Sequence, residues 1–177
     1  GYEGEVATGQ ELNRMMLKGY HVYHDFTADR FNIDHIVVGP AGVFAVETKA
    51  RAKPTSVKQA AGALVNYDGR CLHFPKWREI KPLEQATNQA VWLSRWLSSA
   101  TGEKTDVRPV VALPGWYIRR TSSNGICVIN PKQFASIARP ANGIVMDDGR
   151  IQRIVHQIDR HCRNIASNSV NGLGGRA

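Results

Sequence analysis

The feature that most limits what this chain can fold into is the stretch from Phe31 to Lys49, where two runs rich in Ile and Val flank Gly39-Pro40-Ala41-Gly42. Branched apolar runs on either side of a glycine and proline turn signal specify a β-hairpin. Both runs are nearly continuous in apolar residues (Ile33, Ile36, Val37 and Val38; Val43, Phe44, Ala45 and Val46), the pattern of strands covered on both faces. Yet the same strands carry Asp34, Glu47 and Lys49. Charges in a buried strand are costly, and they persist where they are paired, hold a metal or do chemistry.

A turn centred between Pro40 and Ala41 sets Asp34 opposite Glu47 on one face, with Cβ atoms about 5 Å apart. Two carboxylates at that spacing repel unless a proton or a cation lies between them. Lys49, two residues past Glu47, points to the same side because side chains alternate along a strand. A one-residue slip of register would send Asp34 to the other face. Two readings of these residues stand side by side. One is a structural ion pair of Lys49 with Glu47 or Asp34. The other is phosphodiester hydrolysis, in which two carboxylates hold Mg²⁺ or Mn²⁺, the cation polarises a phosphate and activates a water, and the lysine offsets charge on the phosphoryl oxygens.

The remaining pattern predicts a helix over Glu3 to Lys18 stopped by Gly19, a strand over Tyr20 to Asp25, and weaker strands at Leu64 to Tyr67 and Cys71 to Phe74 around the Asp68-Gly69 turn. Pro82 opens a long helix to about Ala100, with Leu83, Ala86, Ala90, Leu93 and Leu97 on one stripe. Strands follow at Val107 to Leu113 and Gly125 to Ile129. Asn130-Pro131 with Gln133 reads as the capped start of a short helix, and Ile151 to about Ala166 as a last amphipathic one. The fold class expected is α/β (α+β), a mixed central sheet flanked by helices. Residues 1–166 form one domain and residues 167–177, polar and rich in glycine, a flexible tail or linker.

The chain has 177 residues, a formal charge of +8 and a pI of about 9.7, a balance that favours a polyanionic partner such as nucleic acid. Candidate phosphate contacts are Lys53, Lys58, Arg119 and Arg120, all in expected loops. Arg153, His156, Arg160 and Arg163 share the outer face of the last helix, where charge is also ordinary. Trp77, Trp92, Trp96 and Trp116 can stack on bases, but the spacing of Trp92 and Trp96 suits a packed helix face. Three cysteines without CxxC spacing argue against a disulfide framework or a zinc site and for a reducing, cytoplasmic compartment. No apolar run approaches the ~20 residues of a membrane helix. The chain opens on Gly1 rather than Met, so an upstream anchor or further domains stay open.

Ile33-Asp34-His35-Ile36-Val37-Val38-Gly39-Pro40 followed by Gly42-Val43-Phe44-Ala45-Val46-Glu47-Thr48-Lys49 resembles the nuclease-related domain family, NERD, of the PD-(D/E)XK (restriction-endonuclease-like) superfamily. Gly4-Glu5 resembles that family's amino-terminal GE, and Pro82-Leu83-Glu84-Gln85 its Pro-x-x-Gln element. The resemblance spans Gly4 to about Gln85. It implies a restriction-endonuclease-like core, Asp34 and Glu47 as ligands of Mg²⁺ or Mn²⁺, Lys49 as the catalytic lysine, and Glu5 and Gln85 as supporting residues. The geometry of Asp34, Glu47 and Lys49 and the basic charge favour a nuclease acting on DNA, with no small-molecule cofactor expected. A non-catalytic nucleic-acid-binding module and an RNA-directed nuclease are the alternatives, and a homodimer is an open possibility. His35, beside Asp34 but on the other face, is read as a satisfied buried histidine rather than a ligand.

Overall fold

The computed structural model describes residues 1–53 and 63–173, Val170 to Leu173 as backbone only. In chain order the elements are α1 (Tyr2–Asn13), β1 (His21–Thr27), β2 (Asn32–Gly39), β3 (Gly42–Thr48), β4 (Leu64–Tyr67), β5 (Leu72–His73), β6 (Arg78–Glu79), α2 (Lys81–Thr101), β7 (Val107–Ala112), β8 (Tyr117–Arg120), β9 (Cys127–Ile129), α3 (Phe134–Ile137) and α4 (Asp148–Leu173).

The hairpin of β2 and β3 is the centre of the molecule, in the expected register: His35 lies opposite Val46 and Val38 opposite Val43. Gly42, at φ +113°, closes its turn in a conformation that side chains resist. The hairpin belongs to a five-stranded sheet of order β1-β2-β3-β7-β9, antiparallel through β3 and parallel beyond it. Alternation along β3 covers both faces. Val43 and Ala45 pack against Ala90, Leu93 and Leu97 of α2 and Ile151, Ile154 and Ile158 of α4. Phe44 and Val46 pack against Leu12 of α1 and Phe134 of α3. Each such large side chain contributes about 1.5–3 kcal/mol on full burial. The length of α2 follows from Pro82 in its first turn and Gly102, left-handed at φ 72°, at its end.

Several expectations are corrected. The single sheet is two: a second sheet of order β6-β5-β4-β8 packs Val65, Tyr67 and Leu72 against Leu83 and Ala86 at the start of α2. Its strands β6 and β8 escape periodicity because they are short and charged, and pairing with neighbours makes them strands. Arg119 and Arg120 therefore lie on β8, not in a loop. Regular helix in the first segment stops at Asn13, and Arg14–Lys18 winds more tightly as 3₁₀, burying Met15 and exposing Leu17. The expected tail is helical as far as Leu173. The hydroxyls of Ser167 and Ser169 donate to the carbonyls of Arg163 and Ile165, so these serines do not interrupt α4. Asn130 caps its helical turn as expected, accepting from the Lys132 N–H. All four tryptophans are packed: Trp92 stacks on Trp96, Trp77 on Phe74, and Trp116 is fully buried. Lys58, residues 54 and 55 of the expected loop and the last four residues of the tail lie outside the described residues. No helix among the described residues is long and apolar enough to cross a membrane.

Candidate active site

Glu47 follows the apolar run of β3 and is the only carboxylate buried among the described residues, 1% exposed. Alternation turns it to the α2 side of the sheet, with Val43 and Ala45. There its Oε1 contacts the Lys49 ammonium, and its Oε2 accepts a hydrogen bond from Gln89 Nε2 at 2.6 Å. The same Gln89 amide lies 3.3 Å from the Asn32 carbonyl, so one side chain of α2 ties β3 to the start of β2. Asp34 holds its expected place across the hairpin, its Oδ2 accepting from the Thr48 N–H at 2.7 Å.

Burial, then the charge of Glu47, then that of Glu5, push the Asp34 carboxyl up to about 6. The Thr48 N–H and the Lys49 charge act in the other direction. Two carboxylates, Asp34 and Glu47, thus share one ammonium, and the charge of Glu5 on α1 acts on Asp34 as well. The site is short of positive charge, which is the condition a divalent cation relieves.

Glu5 reaches the site because of the residue before it. A Cβ on Gly4 would lie 2.5 Å from that of Ala50, the residue after Lys49, so glycine lets α1 rest directly on the chain just past β3. Glu5 also lines a cavity of about 260 Å³ with His24, Asp25 and His35. His35 is satisfied on one side only. Its Nδ1 meets His24 Nδ1 at 2.8 Å, while its Nε2 is buried without a partner among the described residues. Burial, then His24, hold His35 down at about 4, so the ring is neutral at pH 7.

The structure brings Asp34, Glu47 and Lys49 together, sets Glu5 where its charge acts on Asp34, and leaves Gln85 aside. Gln85 is half-buried on α2 and makes no side-chain hydrogen bond among the described residues; Gln89, one turn later, bonds Glu47 instead. A signal for Gln89 was present: it falls within the stripe of Ala86, Ala90 and Leu93, where a polar side chain needs a partner. Among the proposed phosphate contacts, Lys53 is exposed beside Gly115, and Arg119 is exposed on β8. Arg120 is a clamp. Its guanidinium donates to the carbonyls of Ser122, Ser123, Asn124, Gly125 and Ile126 and lies over the Tyr67 ring at 5.1 Å. Those donors are engaged within the fold, which argues against its assignment to phosphate.

No group of three or more His, Cys, Asp or Glu with metal-holding geometry occurs among the described residues. Two carboxylates still suit Mg²⁺, which keeps several waters and is held through one or two carboxylates plus substrate phosphate.

A family model described as nuclease-related domain matches residues 1–114, α1 to just past β7, a span that contains all the residues gathered here. The chain belongs to the nuclease-related domain family. No curated protein and no solved structure matches it. The mixed sheet between helix layers is compatible with the restriction-endonuclease-like α+β fold of the wider superfamily, and a nuclease-related role follows from membership.

Proposed function

We propose that this nuclease-related domain hydrolyses phosphodiester bonds of DNA with the help of Mg²⁺ or Mn²⁺. One observation carries the reading: Asp34 and Glu47 share one face at the end of the hairpin, with Lys49 against Glu47 and too little positive charge to balance them. Asp34 and Glu47 would hold the cation, which when bound polarises the phosphate and lowers the pKa of a water. Lys49 would stabilise negative charge on the phosphoryl oxygens. Gln89 holds Glu47 in place and Glu5 adds to the local negative potential. The formal charge of +8 suits a nucleic-acid substrate.

The test is cleavage of supercoiled plasmid and of single-stranded DNA in Mg²⁺, Mn²⁺ or EDTA, with Glu47→Ala beside the unaltered chain. Cation-dependent cutting that the substitution abolishes is expected. A second reading, a module that binds nucleic acid without cutting it, draws support from the engagement of both Glu47 oxygens by Lys49 and Gln89. Salt-sensitive binding with no cutting under any cation would select it. Competition between single-stranded RNA and DNA decides which polymer is preferred.

A further inference from the structure

The second sheet has an inner and an outer face. Val65 and Tyr67 of β4 and Leu72 of β5 point inward to the core beneath, so Asn66 and His73 point outward. Across the strands, Asn66 lies opposite both Arg119 of β8 and His73 of β5, and His73 lies opposite Arg78 of β6. Arg119, Asn66, His73 and Arg78 thus form one row that crosses all four strands, spanning about 14 Å at ~4.8 Å per strand. Tyr117, two residues before Arg119 and on the same side of β8, is 61% exposed.

The row keeps its positive charge. Arg78 and Arg119 are exposed and form no ion pair among the described residues, and residues 54–62 contain no acid. Asp68 is bonded to His73 at 2.8 Å and accepts from the N–H groups of Arg70 and Cys71, so its charge is engaged there. The row also begins beside the candidate active site. Arg51 grips Glu79, the neighbour of Arg78, through two bonds of 2.7 and 2.8 Å, and the Lys49 charge acts on the same Glu79.

We infer that this row is a second contact surface for the nucleic-acid strand, holding its sugar-phosphate backbone at a distance from the bond to be cut; the inference rests on the nucleic-acid reading above. Arginine binds phosphate through paired donors, the Asn66 amide and the His73 ring offer hydrogen bonds, and an exposed Tyr117 ring offers a base a stacking surface. The occupant is a polyanion because the row is cationic with unneutralised ends.

Fluorescence anisotropy of a labelled single-stranded oligonucleotide and of its duplex, titrated in EDTA at several salt concentrations, tests it. The variants are Arg78→Ala with Arg119→Ala, the same pair to Lys, and Arg14→Ala with Lys18→Ala just after α1. The alanine pair on the sheet should weaken binding several-fold and flatten the dependence of log affinity on log salt by about one to two, at ~0.7–0.9 per phosphate contact. The lysine pair should restore much of both, and the pair after α1 should change neither. Unchanged affinity and slope in the sheet pair would overturn the inference, as would absence of any DNA binding by the unaltered domain. Cleavage measured separately keeps the two readings apart. A domain that binds through the row and cuts nothing loses the catalytic reading alone, whereas one that cuts while the alanine pair binds normally loses the row alone.

Discussion

Asp34 holds its charge against its surroundings. Its carboxyl is raised to about 6 in the folded chain, above its ordinary value near 4. The stability it contributes is therefore full when the group is protonated, below the unfolded value, and is lost as pH rises through about 6. Asp34→Asn keeps an oxygen for the Thr48 N–H and removes the charge. In EDTA at pH 8 it should raise the melting temperature by roughly 2–6 °C, and at pH 4 it should change little. A pH-8 gain that fails to appear would show that the carboxylate is not under electrostatic strain. Gln89 is the other residue under test. Gln89→Leu leaves Glu47 Oε2 buried without its donor and should cost about 1–3 kcal/mol in chemical denaturation. If Gln89 also aims Glu47, cleavage should fall further than the lost stability accounts for.

At the scale of elements, α1 matters through a single close approach. Gly4→Val would force side-chain carbon into Ala50, displacing the helix and carrying Glu5 away from Asp34. About 1–3 kcal/mol of stability should be lost to overpacking, with cleavage lost as well, and Val6→Ala on the exposed side of the same helix serves as control. Nothing in the sequence announces that Gly4 is pressed against Ala50, far along the chain. The hairpin was legible because its apolar runs, its turn and its register all agree, and Asp34, Glu47 and Lys49 came with it. The strands β6 and β8 were not, since Arg78-Glu79 and Tyr117-Ile118-Arg119-Arg120 carry almost no apolar alternation and owe their conformation to β5 and β4. Gln89 was less legible than Gln85, because its bond to Glu47 exists only once α2 lies against β3.

Across the whole molecule, α2 is the shared wall. Its first turns, with Leu83 and Ala86, close the core under the second sheet, and its later turns, with Ala90, Leu93 and Leu97, close the core of the first. The two sheets should accordingly unfold together. Variants whose only tryptophan is Trp96, in the first core, or Trp116, in the second, should give coincident denaturant midpoints by fluorescence. Separated midpoints would show two independent units. The charge pattern has a consequence of its own. A chain of net charge +8 favours polyanions, yet Asp34 and Glu47, with one lysine against Glu47 and Glu5 acting on Asp34, concentrate negative charge at one place. On the proposed function, an approaching phosphate would meet repulsion at the place where it is to be cut. A divalent cation held by these carboxylates would remove that repulsion, and a phosphate beside it would make the cation harder to lose. By reciprocity each would tighten the hold on the other by the same factor, so that neither one's affinity is a fixed property of the domain.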